Sequence, residues 1–349
     1  MRFRRLLAAS LVALSLGGTG TAAPAREFGP APRDSEGRYL NLDGPIDRGP
    51  WSVRVGFGLR FLTGLFRQRG PSPEVVPNDG AWLRANAAGE VPAVTWIGHA
   101  TLLVQMSGLT FLTDPTWSKR ASPVAWAGPR RHVPPGVAFD ELPPIDFVLI
   151  SHNHYDHLDV PTLRRLARRS PSTRFIVPAG NAELLRKHGI SNLTELDWGE
   201  SLRLGQAELH CLPARHWSSR GLTDAREALW ASWAVTGPDR RFYFGGDTGW
   251  FDGFARIGRT LGPFDLAALP IGAYEPAAMM RPVHLDPEEA AAAARELRAK
   301  RALGIHFGTF ELTTEPFDEP PRRFRASATA AGLDSDRTWV LKIGETRPF

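Results

Sequence analysis

Short apolar runs, separated by glycine, proline and polar turns, recur from residue 93 to the end of the chain. Each has the length of a strand and is too short for a core helix, so the pattern predicts a β-rich protein with helices between the strands. The predicted strands are residues 94–97, Thr101–Met106, Leu109–Thr113, 146–151, 175–178, Ala207–Leu212, 230–236, 241–245, Leu266–Pro270, Ala302–Ile305 and 339–343. Two β-rich halves with outer helices predict an α/β protein, a four-layer αβ/βα sandwich.

One predicted helix, residues 51–66, combines apolar and basic character. Its apolar residues recur at helical spacing and arginines lie beside them: Trp51, Val55, Leu59, Leu62 and Phe66, with Arg54, Arg60 and Arg67. A basic amphipathic helix can lie on an anionic membrane surface, whereas an ordinary amphipathic helix packs its apolar face on the protein body. Both interpretations remain open, so association with a membrane surface is one of two expectations for this segment.

The clearest helix signal begins after Asp286, where a proline and two glutamates precede a run of alanines. This pattern predicts a capped helix over 287–301. Asp159 and Asn181 are candidate caps of two earlier helices. The span 115–145 is rich in Pro, Trp and Arg and predicts a long loop. Because loops of this length are uncommon unless functional, we expect it to roof the site.

The composition is that of a globular protein, with 42% hydrophobic and 23% charged residues among 349. Residues 1–25 are typical of a secretory signal, because a basic start and an apolar stretch precede the small-x-small sequence APA. We therefore expect a signal peptide at 1–25, an N-terminal lead-in at 26–92 and the main domain at 93–349. The expected location is exported, periplasmic or membrane-peripheral.

The formal charge of +5 would favour nucleic acid or an anionic surface as a partner. The signal contributes three arginines, and without it 39 basic residues face 37 acidic ones. A nearly neutral mature chain without an aromatic and basic stripe argues against nucleic-acid binding. Cys211 is the only cysteine, so no internal disulfide can form. Nothing in the sequence indicates an oligomeric state.

The segment ISHNHYDH, residues 150–157, carries the candidate chemistry. It places four possible metal ligands on a loop after a predicted buried strand: His152, His154, Asp156 and His157. Neutral imidazole and ionised carboxylate are the ligands that hold zinc and related divalent metals. The spacing favours two ions, because the first two histidines can face one ion while Asp156 and His157 face a second.

Three further candidates, His216, Asp247 and His306, each follow a predicted strand. Strand ends of this kind gather ligands at one edge of a sheet. Taken singly, each could instead be a loop histidine or a helix cap. Taken together, they predict two sites with these members: His152, His154 and His216 in one, Asp156, His157 and His306 in the other, and Asp247 as the bridge. No such pattern involves His132, His188 or His210, which we expect to be structural.

The chain resembles the metallo-β-lactamase superfamily, whose HxHxDH signature is matched by residues 152–157. Within it, the chain is similar to the N-acylphosphatidylethanolamine-hydrolysing phospholipase D branch. This similarity rests on the strings VTWIGHATLLV, FLTDPTW, ISHNHYDHLD, PARHWSSRG, YFGGDTGW, GPFDLAALPIGAYEP, HLDPEEA and IHFGTFELT. It implies a metallo-β-lactamase sandwich over 93–349 and a hydrolase with two zinc ions, manganese or iron being the alternatives. The implied substrate is a phospholipid such as N-acylphosphatidylethanolamine.

The resemblance also implies that Tyr155 and His284 contact the substrate headgroup or acyl amide. One departure concerns the residue before His284. Animal members of the branch have a glutamine there, whereas this chain has Val283. The departure bears on the preference for headgroup or acyl amide and leaves the metal chemistry unaffected.

The expected reaction is attack of a metal-bound hydroxide on the phosphodiester, giving phosphatidic acid and an N-acylethanolamine. Asp156 can accept the proton of the water, and His284 can orient the phosphate or protonate the leaving oxygen. We expect His99 and Asp114 either to orient ligands or to cap turns. The candidates for attracting phosphate are Arg130, Arg131, Arg215 and Arg220.

Other functions share parts of this pattern. A lactonase or other ester hydrolase would use the same two-metal site on a different bond. A membrane-associated binding protein with a degenerate site is the non-enzymatic alternative, and the complete set of seven ligands argues against it. A nuclease is disfavoured by the charge, and a β-lactamase by the last ligand positions.

Overall fold

The computed structural model describes residues 27–47, 49–63, 70–330, 334 and 336–349. The predicted signal at 1–25 and the last residues of the predicted helix 51–66 lie outside the described residues. Among the helices that are described, none is both long and apolar enough to cross a bilayer.

Two sheets of seven strands form the centre of the described structure. The strands of the first sheet are β1 (Ala93–Gly98), β2 (Thr101–Met106), β3 (Leu109–Thr113), β4 (Phe147–Leu149), β5 (Arg174–Pro178), β6 (Leu193–Leu196) and β14 (Thr346–Pro348). The strands of the second sheet are β7 (Ser201–Leu204), β8 (Ala207–Leu212), β9 (Ser232–Thr236), β10 (Arg241–Phe244), β11 (Leu266–Pro270), β12 (Ala302–Ile305) and β13 (Thr338–Trp339).

The two sheets follow the same pairing scheme. The first has the order β14–β1–β2–β3–β4–β5–β6, antiparallel as far as β3 and parallel beyond it. The second has the order β13–β12–β11–β10–β9–β8–β7, parallel from β13 to β10 and antiparallel beyond. Parallel strands end at a common edge, so the loops that follow β4, β10 and β12 are brought together there.

The α-helices pack around the two sheets. They are α1 (Trp51–Thr63), α2 (Ala81–Ala85), α3 (Val160–Arg169), α4 (Ala182–Lys187), α5 (Gly253–Thr260), α6 (Ala277–Met280), α7 (Pro287–Glu296) and α8 (Glu319–Ala330). Apolar residues of α3 and α4 pack on the first sheet, and those of α5 and α7 join the core of the second. The predicted four-layer αβ/βα sandwich is therefore confirmed.

Alternation along the strands of the first sheet separates two cores. On β2, Leu102 and Val104 belong to the core between the sheets, while Leu103 belongs to the core under α3 and α4. Between the sheets, the ring of Phe111 stacks on Phe147 at 4.5 Å and meets Phe242 of the second sheet edge-on at 5.9 Å. Both faces of the first sheet are thus buried, which explains the continuous apolar runs of its strands.

Several element boundaries differ from the prediction. The helix predicted over 287–301 ends at Glu296, and Arg298 follows it with a left-handed φ of 57° that stops the helix. The strand predicted at 339–343 is only Thr338–Trp339. Strands β6, β7 and β14 were not predicted, because they lie at or near the sheet edges and carry half-exposed polar residues.

The core between the sheets should dominate stability. Replacing Leu102 with Ala removes fully buried atoms, and we expect the free energy of unfolding to fall by about 2–5 kcal/mol in chemical denaturation. The same change at Leu222, which is fully exposed, should alter it by less than about 0.5 kcal/mol. Equal effects of the two substitutions would contradict the assignment of this core.

Candidate metal centre

The seven predicted ligands lie at one buried edge, where the loops of the two sheets meet. Each follows a strand as predicted: His152, His154, Asp156 and His157 follow β4, His216 follows β8, Asp247 follows β10 and His306 follows β12. Their nitrogen and oxygen atoms form overlapping groups in which all donor atoms lie within 4.8 Å of one another. The fold therefore brings the predicted residues together, and metal binding by them is a prediction that the geometry permits.

The first group consists of three imidazoles. The Nε2 atom of His152 lies 2.9 Å from Nδ1 of His154, which lies 3.3 Å from Nε2 of His216. Burial lowers the pKa of His154 to about 3 and that of His216 to about 4, so both rings are neutral at physiological pH. Nitrogens on a tetrahedral zinc ion stand about 3.3 Å apart. The two separations of 2.9 Å and 3.3 Å are close to that spacing.

The second group contains carboxylate as well as imidazole. The Nε2 atoms of His157 and His306 are 3.1 Å apart, and Oδ2 of Asp156 lies 3.2 Å and 3.5 Å from them respectively. The structure adds His99 to this group, because its Nε2 atom lies 2.9 Å from the same Asp156 oxygen. From the sequence we expected His99 to orient ligands or to cap a turn. Its position in the β1–β2 connection is not part of a spaced set of possible ligands.

Asp247 lies between the two groups. One carboxylate oxygen, Oδ2, is 3.1 Å from Nε2 of His157 and 3.9 Å and 3.8 Å from Nε2 of His152 and His216. The other oxygen, Oδ1, is 3.1 Å from Nε2 of His306. A carboxylate in this position faces both groups, as a bridging ligand must.

The electrostatics of the centre favour positive charge. Burial opposes protonation of His157 and His306, but Asp247 and Asp156 outweigh it, raising the pKa of His157 well above its usual value and that of His306 to about 9. Two buried carboxylates without a cation would be costly. Divalent cations held by the neutral imidazoles would supply the required charge, so the donor set fits a metal pair.

Asp114 orients two of the imidazoles from the end of β3. Its Oδ2 atom lies 2.7 Å from Nδ1 of His157 and also accepts a 2.6 Å hydrogen bond from the Ser151 hydroxyl. The Ser151 oxygen in turn lies 2.9 Å from Nδ1 of His152. These contacts direct Nε2 of both histidines toward the centre, which is the usual function of outer hydrogen bonds in metal sites.

Unusual backbone conformations occur at the same edge. His99, Asp114 and His306 have left-handed φ angles of 54°, 37° and 63°, each of which costs on the order of 1–3 kcal/mol for a residue other than glycine. Gly246, with a φ of 58°, precedes Asp247, and a Cβ atom there would lie 2.5 Å from that of Ser151. Only glycine allows this close approach of the two sheets.

Tyr155 and His284, the predicted substrate contacts, both line the cavity over the centre. The Tyr155 hydroxyl donates to the Arg220 carbonyl at 2.9 Å, so it is the ring that faces the cavity. The Nδ1 atom of His284 lies 3.8 Å from Oδ2 of Asp247, and burial lowers the pKa of this imidazole well below its usual value. His284 also forms a group with His216 and Asp247 that could hold a metal, a role the sequence did not predict.

The arginines expected to attract phosphate are mostly engaged elsewhere. Arg131, Arg215 and Arg220 all direct their guanidinium groups to the protein itself. Their acceptors are the carbonyls of Thr116 and Ser118 for Arg131, the Asp43 carboxylate and the Pro282 carbonyl for Arg215, and the carbonyls of Asn153 and Leu158 for Arg220. Attraction of phosphate by these three stays a prediction, and the tethering that holds their guanidinium groups could not be read from the sequence.

The three histidines expected to be structural lie outside the clustered groups. His132 pairs with Glu311 at 3.4 Å, and His210 lies 3.0 Å from the Thr236 hydroxyl. His188 ends α4, where its backbone caps the last turn.

A cavity of about 400 Å³ opens onto the centre. Its floor carries polar side chains of the centre, including His154, Asp156 and His284. Its walls are mainly apolar and come from several segments: Ile46, Phe57 of α1, Ala121 and Pro129 of the 115–145 loop, and Met279 and Met280 at α6. The long loop therefore contributes to the cavity wall. The sequence did not predict that Ile46, Met279 and Met280 line the cavity. From sequence alone, an apolar residue that lines a cavity cannot be distinguished from one that lies in the core.

A family model described as a β-lactamase superfamily domain matches residues 110–307. The chain belongs to the metallo-β-lactamase superfamily. It is 46% identical over 263 residues to the N-acyl-phosphatidylethanolamine-hydrolyzing phospholipase D 1 of Caenorhabditis elegans, a match that covers 72% of this chain and 74% of the relative. The predicted membership of this branch is confirmed.

Other similarities agree with this assignment. An uncharacterised protein of Mycobacterium tuberculosis is 44% identical over 309 residues, covering 85% of this chain and 80% of its own. The solved structure of Igni18, a metallo hydrolase from Ignicoccus hospitalis, superposes with a TM-score of 0.56 at 22% identity, over 74% of this chain and 98% of that one. At this low identity, the similarity to Igni18 shows the fold alone. Together with the centre, the family makes the chain a metal-dependent hydrolase.

Removing the Asp114 carboxylate should weaken metal binding without unfolding the protein. We expect Asp114→Asn to lower metal affinity roughly 10–100-fold, measured by competition with a chelator, because His157 and Ser151 lose a charged partner. Asp265→Asn is the control, since this buried carboxylate bonds the backbone of Arg241 and contacts none of the clustered residues. Unchanged affinity in Asp114→Asn would contradict the orienting role.

Proposed function

We propose that the protein hydrolyses the phosphodiester bond of a phospholipid such as N-acylphosphatidylethanolamine, giving phosphatidic acid and an N-acylethanolamine. The observation that carries the proposal is the cavity, in which a floor of imidazole and carboxylate meets long apolar walls. A lipid phosphodiester has the same division between a charged group and acyl chains. The identity with the C. elegans phospholipase supports this choice of substrate.

The size of the cavity is consistent with a small part of a lipid. About 400 Å³ lies within the range of ordinary ligand pockets and holds a headgroup with the first part of an acyl chain. The flexible side chains of Met279 and Met280 can adapt to chains of different shape.

The proposed metals are two zinc ions, with manganese or iron as alternatives. Their ligands would be His152, His154, Asp156, His157, His216, Asp247 and His306. Bound zinc supplies Lewis-acid polarisation of a phosphoryl oxygen and a lowered pKa for water. Imidazole-rich donor sets with one or two carboxylates suit zinc well.

Two residues of the chain would handle protons and orientation. Asp156 directs Oδ2 to the second group and to His99, and its carboxylate can accept the proton of the attacking water. His284 is neutral, because burial lowers the pKa of its imidazole. It faces the cavity together with the Tyr155 ring, so both can contact the substrate headgroup. In its neutral form His284 can orient the phosphate through a hydrogen bond.

We further propose that α1 brings the cavity to a membrane surface, in an exported, periplasmic or membrane-peripheral protein. Phe57 of α1 lines the cavity, while Trp51 and Leu59 on the same helix are 72% and 57% exposed. The 115–145 loop also contributes to the cavity wall, and Trp126 of this loop is 81% exposed. Exposed aromatic side chains beside an apolar cavity are typical of a surface that meets lipid.

A lactonase or other ester hydrolase is the second candidate, and Val283 favours it. This apolar side chain stands directly before His284 and lines the cavity, where a polar side chain would bond an amide. Such a pocket suits a substrate with fewer hydrogen-bonding groups next to the reacting bond.

Turnover of defined substrates distinguishes these functions. Metal-loaded protein should release phosphatidic acid from N-acylphosphatidylethanolamine in detergent micelles, detected by mass spectrometry, and Asp247→Asn should lose at least about 100-fold in kcat because the bridge between the metal groups is weakened. A chelator should abolish the release and added zinc restore it. Turnover of an acyl lactone with none of the phospholipid would reject the phosphodiesterase. Unchanged turnover in Asp247→Asn would reject the proposed centre.

Binding to vesicles tests the membrane surface separately. Trp51→Ala should reduce co-sedimentation with anionic phospholipid vesicles severalfold, because an exposed indole contributes strongly to interfacial binding. Trp82→Ala is the matched control, since Trp82 is also an exposed tryptophan on a helix but lies on α2, none of whose residues line the cavity. Equal binding of the two variants would exclude α1 as the contact.

A further inference from the structure

The segment 27–47, here called the N-terminal strap, lies outside the matched family domain and is packed along the second half of the fold. It was predicted as an extended lead-in, and most of its backbone is indeed irregular. Phe28, Tyr39 and Asn41 of the strap are nevertheless buried. The Tyr39 amide donates to the Arg226 carbonyl at 2.9 Å, and the Ala31 amide donates to Asp197 at 3.0 Å.

Asn41 connects the strap directly to His216. Its side-chain amide donates to the His216 carbonyl at 3.0 Å, and its Oδ1 atom accepts from the His216 amide at 3.1 Å. The same oxygen accepts from the Trp230 indole at 3.1 Å. Because Asn41 is only 5% exposed, these bonds form away from competing water. The two-way amide clamp therefore fixes the backbone of His216.

The position of His216 depends on support from outside its own loop. It lies in the stretch between β8 and β9, residues 213–231, where no helix or strand determines its position. Its ring is held through Nδ1, which donates to the Val283 carbonyl at 2.9 Å. With the ring held on one side and the backbone on the other, Nε2 is directed to His152 and His154. Asn41 supplies the backbone half of this arrangement.

We propose that Asn41 is a positioning residue of the metal centre, through which the N-terminal strap completes the site formed by His152, His154 and His216. Hydrolases depend on ligand placement within a fraction of an ångström. Loss of the clamp would allow the loop of His216 to shift and would weaken that site before the other. The proposal depends on metal binding by His216 and is independent of the substrate.

A second buried asparagine provides a matched control. Asn86 makes the same kind of clamp on Val91, donating to its carbonyl at 2.8 Å and accepting from its amide at 3.0 Å. It is 7% exposed and belongs to none of the metal groups. Both asparagines thus hold one backbone residue through two hydrogen bonds, and they differ in whether that residue is a proposed ligand.

The experiment compares Asn41→Ala and Asn86→Ala in the full chain. Metal content by elemental analysis, metal affinity by chelator competition and thermal unfolding of the metal-free protein are measured. We expect the two variants to lose similar amounts in Tm. Only Asn41→Ala should also bind one of the two metals roughly 10–100-fold more weakly. Excess zinc should then restore turnover of Asn41→Ala. Equal metal affinity in the two variants would overturn the proposal.

Two further variants keep the outcome interpretable. If Asn41→Ala does not fold, Asn41→Asp decides, because it keeps the acceptor for His216 and Trp230 and replaces the donor to the His216 carbonyl with a carboxylate oxygen, which repels that carbonyl. His216→Ala tests separately whether His216 is a metal ligand. Full metal content in His216→Ala would mean that His216 is not a ligand. If His216→Ala loses metal while both Asn41 variants keep full metal affinity, only the positioning role of Asn41 is rejected.

Discussion

The burial of charge between the two sheets is the constraint on which the rest of the structure depends. Asp156 and Asp247 lie among imidazoles at the floor of the cavity, and their side chains are only 13% and 2% exposed. Carboxylates in such surroundings require positive charge close by. The histidines that burial keeps neutral, such as His154 and His216, would provide lone pairs for cations, and the two carboxylates would provide the charge that retains them. This donor set fits a pair of divalent cations.

The residues around this centre adopt unfavourable backbone conformations. Left-handed φ angles at His99, Asp114 and His306, together with Gly246 at a crowded turn, occur where the two sheets approach each other. The rigid core between the sheets can hold such conformations, because apolar strands on both sides leave the edge no room to relax. Asp114 and Ser151 then orient the rings. Strain and hydrogen bonding therefore cooperate to place donor atoms rather than to stabilise the fold.

The segments around the centre determine what can reach it. Apolar residues from α1, the 115–145 loop and α6 form the walls of the cavity, and the N-terminal strap reaches His216 from outside the common domain. The solved structure of Igni18 shares the fold. Of these segments, α1 and the strap lie outside the matched family domain, whereas the 115–145 loop and α6 lie within it.

The sequence by itself determined the strands, the sandwich and the seven clustered residues, because strand periodicity and the HxHxDH spacing are local signals. It missed β6, β7 and β14, whose polar edge positions resemble loops, and it placed His99 outside the centre. Only the tertiary structure decided that Arg131, Arg215 and Arg220 are tethered and that Ile46 and Asn41 reach the site. These contacts join residues as far apart in the chain as Asn41 and His216, and no local pattern records which distant segments will meet.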